Sequence, residues 1–280
     1  MNWSRTKTIF IICFLLLDLF LGNQLYDRHK NSQDFDVFPQ NNVESNLGKN
    51  INIDTVLPEA KKNITVIKGQ RMSFVNDTGE LLDSLKRLEG PKGHVIQTIE
   101  AFDNGTVIQS TLKKPIPIPK KAANQQAALR NYVYKGNEYK YWKTDEKEHT
   151  ITFVQTFNDS PVFIKERGNS NTLKVFVDNG KITGYRQSYF TFSKAKNALD
   201  LISAEKAINN LWEKNELPVS LNPVVKDVEL SYLNLIGDAT LDKALFFMPS
   251  WHVRVKTNEG MKEFFVNATS GLIQTMDDAE

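Results

Sequence analysis

A single cysteine, Cys13, occurs in 280 residues, which excludes an intrachain disulfide framework and any zinc site built from two or more cysteines of this chain. An excess of one charge sign is missing too. The 35 Lys and Arg stand against 33 Asp and Glu, a net of +2, so the chain has neither the concentrated basic field of a nucleic-acid binder nor a strongly acidic surface. There are four histidines, and no H-E-x-x-H or similar spacing joins His29, His94, His149 and His252, so neither a metal site nor a cofactor is expected. The G-x-S-x-G elbow, the P-loop and a G-x-G-x-x-G after a strand are absent as well. What remains is an ordinary globular balance, 40% hydrophobic and 24% charged, which is enough to bury a core.

The exceptional segment is at the start. From Ile9 to Leu21 the chain is apolar except at Asp18, and Thr6 to Leu25 as a helix spans about 30 Å at ~1.5 Å per residue, just enough to cross a bilayer. Trp3 and Tyr26 bracket the run where amphipathic rings favour the membrane interfaces. A cleavable signal peptide is the competing reading, but Gly22-Asn23-Gln24-Leu25-Tyr26 offers no A-x-A-like site. Arg5 and Lys7 before the run are matched by Arg28 and Lys30 after it. The short basic tail is easily retained while a long domain translocates largely regardless of charge, so the expected orientation is amino terminus cytoplasmic, remainder extracytoplasmic. Cys13 then lies in the lipid span, which rules out an extracytoplasmic cysteine nucleophile.

Asp18 costs roughly 2.5 to 3.5 kcal/mol in such a span. The Ile, Leu and Phe residues around it return about 3 to 7 kcal/mol together, so insertion survives. Helical spacing places Ile11, Phe14, Leu15, Asp18 and Leu21 on one stripe, where a partner helix carrying a donor could satisfy the carboxyl. The alternative is a protonated or snorkelling Asp18 without a partner.

Beyond the anchor, positions 26–50 are rich in Asn, Gln, Asp and Ser and read as a polar stalk. Positions 51–280 have strand-like runs and few helical stretches, an α+β ectodomain that is formally neutral once the basic and acidic residues of the first 30 positions are set aside. The same order of elements occurs twice. A helix around Ala122 to Tyr134 precedes strands at Glu138 to Trp142, Thr150 to Phe157, Thr172 to Val177 and Ile182 to Phe192. A helix from Ala204 to Asn215, with Ser203 as N-cap, precedes Val224 to Asn234, Phe246 to Lys256, Met261 to Asn267 and Leu272 to Met276. Ahead of both, a strand at Ile64 to Ile67, a helix at Glu80 to Leu88 and an extended connector from Pro115 to Pro119 are expected.

His252 lies in a strand between Trp251 and Val253, and His149 stands beside Glu148; both are read as structural. A cleft in which two or more polar groups of displaced pKa converged, such as a carboxylate near either histidine, would instead favour an enzyme. The acidic clusters Asp145-Glu146-Lys147-Glu148 and Asp277-Asp278-Ala279-Glu280 are read as solvated.

Two blocks make the chain familiar. The start, Trp3-Ser4-Arg5-Thr6-Lys7-Thr8-Ile9-Phe10-Ile11-Ile12 with Leu17-Asp18-Leu19-Phe20-Leu21, and the end, Met248-Pro249-Ser250-Trp251-His252-Val253 with Phe265-Val266-Asn267-Ala268-Thr269-Ser270-Gly271, resemble the YycI family, regulators of the WalK (YycG) histidine kinase of low-GC Gram-positive bacteria. The P-x-W and V-N-A-x-x-G elements also occur in PepSY-type domains. The resemblance implies a single-pass cell-membrane protein without enzymatic activity, whose transmembrane helix associates with those of the kinase and of a YycH-like protein. It also implies extracytoplasmic domains of related fold in YycI and YycH, and with the element pattern the expected domains are 1–25 (tail and anchor), 26–50 (stalk, which the resemblance does not match), 51–197 (first ectodomain lobe) and 198–280 (PepSY-like lobe). The alternative is a membrane-anchored cell-wall enzyme or a PepSY-type protease inhibitor.

Overall fold

Beyond position 51 the alternation of apolar and polar residues is that of strands, and the computed structural model is mostly β-sheet with few helices. It describes residues 51–91, 94–119, 122–165, 173–236, 243–274 and 276, with Trp3, Lys7, Phe14, Leu15, Leu17, Asp18 and Leu21 of the amino-terminal segment. The chain divides into two units, Met1–Asn46 and Leu47–Glu280. In the first, the described positions are helical and exposed. Among the described residues no helix is long and apolar enough to cross a membrane. Most of the expected span and the whole of 26–50 lie outside the described residues.

In the second unit the strands are β1 (Asn52–Ile53), β2 (Ile64–Arg71), β3 (Gln97–Phe102), β4 (Val107–Pro117), β5 (Tyr139–Asp145), β6 (Thr150–Phe157), β7 (Ser160–Ile164), β8 (Leu173–Asp178), β9 (Lys181–Ser188), β10 (Phe190–Leu199), β11 (Val224–Asn234), β12 (Ala244–Thr257), β13 (Gly260–Asn267) and β14 (Ile273–Gln274). The helices are α1 (Asp83–Leu88), α2 (Ala122–Leu129) and α3 (Ala204–Glu213). β5, β6, β8 and β9 pair in turn as an antiparallel meander, widened by β4 and β3. β11, β12, β13 and β14 form a second antiparallel meander, with β1 parallel to β11. β7 joins the two, pairing with β6 on one side and running parallel to β11 on the other. β2 bridges β10 and β12, so hydrogen bonds cross the expected lobe boundary at 197/198.

Each meander carries a helix and a core. α3 starts where expected: Ser203 Oγ accepts from the Lys206 N–H at 3.1 Å, satisfying one of the free donors of the first turn. Its apolar face, Ala204, Ala207, Ile208 and Leu211, packs on Val225, Val228 and Leu230 of β11, Trp251, Val253 and Val255 of β12, and Val266 of β13. Trp251 is fully buried and its indole donates to Ile202 O at 2.9 Å. The first core gathers Phe74, Leu85, Leu129 and Val133 over Ile108, Phe153, Leu173, Val175 and Tyr185. Gly184 of β9 lets β4 approach closely, since a Cβ there would stand 2.2 Å from Ser110 O.

Several expected boundaries move, for local reasons. α2 stops at Leu129 rather than near Tyr134. Past Leu129 the ladder tightens into turns, with the Arg130 N–H donating to Ala127 O and the Tyr132 N–H to Leu129 O, and side chains hold the segment there: Tyr132 O accepts from Gln97 Nε2 and Tyr185 Oη, and Tyr134 O from Gln187 Nε2. α1 begins at Asp83 because Asn76 Oδ1 accepts from the Thr78 and Glu80 N–H groups and holds that stretch in a turn. The proline connector is extended as expected, but Pro115 and Pro117 belong to β4. They are accommodated because β3 pairs only as far as Leu112 and the register with β9 slips between Thr111 and Ile116. The strand expected over Ile182 to Phe192 is two strands broken at Tyr189, and β3, β7 and most of β4 were not anticipated.

Candidate functional site: a buried histidine between two glutamates

α3 occupies one face of the second meander, so the other face needs a different covering. Cross-strand register builds two rows there. Glu229 of β11, His252 of β12 and Phe265 of β13 lie directly opposite one another, and so do Asp227, Arg254 and Glu263. The period of two that points Trp251, Val253 and Val255 at α3 points His252 and Arg254 away from it. Strand β5 of the first meander covers this face with Lys140 and Trp142.

His252 is 2% exposed. Its ring stacks on Phe265 with centroids 4.6 Å apart and meets Phe163 edge-on at 4.8 Å. Nε2 lies 3.3 Å from Glu263 Oε2, and Nδ1 lies 3.5 Å from Glu229 Oε1, an ion-pair distance without hydrogen-bond alignment. Each carboxylate has a further partner on β5: Lys140 Nζ pairs with Glu229 Oε2, and the Trp142 indole donates to Glu263 Oε2 at 2.8 Å. Arg254 pairs with Asp227 at 2.6 Å.

Burial opposes the charges of His252, Glu229 and Glu263, and their mutual contacts outweigh it. Desolvation alone would lower the pKa of His252, but Glu229 and Glu263 hold it above the ordinary value of 6.5. Burial would raise the two glutamates. His252 and Lys140 instead hold Glu229 at about 2, and His252 and Trp142 hold Glu263 below its usual range. The state favoured is an imidazolium between two carboxylates. The carboxylates sit at opposite ring nitrogens and do not converge on a common point. Among the described residues no group of three or more His, Cys, Asp or Glu is arranged to hold a metal ion.

The condition set for an enzyme is met by half. Polar groups of displaced pKa converge on His252, but they are packed under Trp142, Phe163 and Phe265 rather than lining a cleft. A cavity of about 390 Å³ lies elsewhere, between Glu138, Phe157, Asp159, Tyr189 and Phe192. There Glu138 is engaged, accepting from Tyr189 Oη at 2.5 Å and pairing with Lys135 at 3.6 Å.

His149 is an exposed turn residue at φ 52° whose carbonyl accepts from the Val177 N–H. The neighbouring acidic cluster is the β5–β6 hairpin turn, with Asp145 Oδ1 accepting from the Lys147 and Glu148 N–H groups. Positions 277–280 lie outside the described residues, as does Ile11. Phe14, Leu15, Asp18 and Leu21 of the expected stripe are helical and exposed. Lys140, Trp142, Glu229 and Glu263 were not anticipated. The available signal was a charged residue at alternate positions of otherwise apolar strands, Asp227 and Glu229 in β11 and His252 and Arg254 in β12.

The profile of the YycI protein family matches residues 32–269. The chain belongs to the YycI family. The match starts inside the stretch read as a stalk, and the amino-terminal block that carried much of the resemblance lies before it. No curated protein matches the chain. Among solved structures, an uncharacterized protein from Eubacterium rectale aligns with a TM-score of 0.50 at 11% identity, over 82% of this chain and 92% of that one. That likeness speaks to the fold alone. YycH from Bacillus subtilis aligns with a TM-score of 0.37 at 12% identity, over 71% of this YycI-family chain and 52% of YycH. The Bacillus megaterium YpeB C-terminal domain aligns with a TM-score of 0.40 at 12% identity, over 73% and 97%.

Proposed function

We propose that this YycI-family chain is a non-enzymatic, membrane-anchored regulator that binds the WalK (YycG) sensor kinase together with a YycH-like protein and adjusts its activity, and with it cell-wall homeostasis. The observation that carries this reading is the family match across residues 32–269. An apolar run from Ile9 to Leu21 supports a single span with the amino terminus in the cytoplasm and the rest outside. Within the span, the stripe Ile11, Phe14, Leu15, Asp18 and Leu21 is the contact with partner helices. The ectodomain is read as two PepSY-like units, each a helix followed by an antiparallel meander.

Output of a kinase-dependent reporter in a strain lacking this chain tests the reading. A change that the wild-type gene restores supports it, and unchanged output contradicts it. The association with a YycH-like protein is checked by mixing the two proteins and measuring mass by light scattering, with a heteromer expected.

One observation favours the alternative of an extracytoplasmic enzyme, the convergence of Glu229 and Glu263 on His252. Their mutual neutralisation and burial fit a structural ion cluster better than a general acid and base.

A further inference from the structure

We propose that Glu229, His252 and Glu263 form a proton-dependent clasp that fastens strand β5 of the first meander onto the sheet of the second. The inference concerns the fold and does not rest on the regulatory reading. A neutral imidazole carries one N–H, so it can donate to one carboxylate while its other nitrogen turns a lone pair toward the second. The protonated ring carries an N–H on each side, hydrogen-bonding Glu263 through Nε2 and facing Glu229 across an ion pair through Nδ1. Only that form suits Glu263 at 3.3 Å from Nε2 and Glu229 at 3.5 Å from Nδ1 at once.

Each glutamate passes the contact on to β5, Glu229 through Lys140 and Glu263 through Trp142. Residues two apart on β5 are thereby tied, through two acids, to one histidine on β12. The Trp142 ring adds an edge contact to Phe163 at 5.2 Å, closing the set from above.

Among the described residues, the groups facing His252 come from five strands. β11 contributes Glu229 and, one pair along, Asp227; β12 contributes Arg254, which pairs with Asp227; β13 contributes Glu263 and the Phe265 ring. β5 contributes Lys140, with Lys143 held 4.4 Å from the Trp142 ring, and β7 contributes only the Phe163 ring. With His252 protonated, Lys140, His252 and Arg254 balance Asp227, Glu229 and Glu263. Loss of the proton leaves one negative charge uncompensated between two carboxylates that are mostly shielded, with 21% and 28% of their side chains exposed, and movement of β5 is the available relief. The raised pKa of His252 is consistent with this geometry.

The test uses the full chain in detergent micelles, labelled with 13C at histidine Cε1 and 15N at tryptophan Nε1. His252→Gln and Trp142→Phe assign the two signals. His252 should titrate above pH 6.5, and the Trp142 indole signal should shift with the same midpoint while its N–H exchanges about tenfold faster above it. Glu263→Gln should lower the histidine midpoint and uncouple Trp142. If that variant fails to fold, Lys140→Met on the rim serves instead: removing a neighbouring cation should raise the midpoint. A His252 midpoint at or below 6.5, or a Trp142 signal that ignores its titration, would overturn the clasp.

Discussion

In the first meander buried glutamines close a network of polar groups, whereas on the face of the second meander that β5 covers a buried histidine is closed by ions. Gln97, Gln155 and Gln187 are each nearly inaccessible, and each both donates and accepts. Gln187 donates to Tyr134 O and Tyr139 Oη and accepts from the Tyr134 N–H. Gln97 donates to Leu88 O and Tyr132 O and accepts from Ser110 Oγ. Gln155 donates to Phe190 O and accepts from its N–H. The titratable groups this network touches, Tyr139 and Tyr185, are pushed well above the usual phenol range by burial and stay neutral at ordinary pH. On the second meander, Glu229, His252 and Glu263 do the same closing work with groups whose charge depends on pH. The difference lies in what each set satisfies: amides suit backbone groups that need a donor and an acceptor together, and ions suit side chains that reach across from another strand layer. Only the second arrangement can respond to protons.

Four substitutions probe this contrast, read by chemical unfolding of the full chain in detergent. Trp251→Ala empties the centre of the α3 core and should cost about 3–5 kcal/mol at every pH. Gln187→Leu leaves Tyr134 without its partners and should cost about 2–4 kcal/mol, again independent of pH. A pH-dependent loss from either would break the comparison. Glu229→Gln removes one carboxylate beside His252 from a half-exposed position, so about 1–3 kcal/mol is expected, and this loss must vary with pH.

The signs are opposite at the two ends. His252 has its folded pKa raised, so its contribution is full below 6.5 and disappears as pH climbs through the folded value. Glu229 and Glu263 have theirs lowered. Their contribution is full above 4.5 and disappears as pH falls, for Glu229 toward about 2. Wild type minus Glu229→Gln should therefore be largest between roughly pH 4.5 and 6.5 and smaller at pH 8 and at pH 3. Ser203→Ala, at the α3 N-cap, should cost about 1 kcal/mol with no pH dependence, the smallest of the four.

What the sequence made legible follows the same division. Local signals worked: Ser203 as a cap, the helix it opens at Ala204, and β11 from Val224 to Asn234. Two helix–meander orders also came from local pattern. Long-range features did not. β7 was missed because its five residues are all buried and show no alternation. The assembly around His252 was missed because Lys140, Trp142, Glu229 and Glu263 meet through a packing of one meander on another that no spacing encodes. Sequence reasoning treated the histidine as structural, and its partners came only with the register.

The stripe containing Asp18 carries the central functional claim, so co-purification of the full chain with the WalK-type kinase from solubilised membranes tests it most directly. Asp18→Leu removes an interhelical hydrogen bond worth about 0.6 to 2 kcal/mol while favouring insertion into lipid. Membrane abundance should hold or rise, and recovery with the kinase should fall by about 3- to 30-fold. Asp18→Asn, which can still hydrogen-bond, should keep most of the association. Equal co-purification of Asp18→Leu and wild type at equal abundance, with unchanged kinase output, would contradict the account.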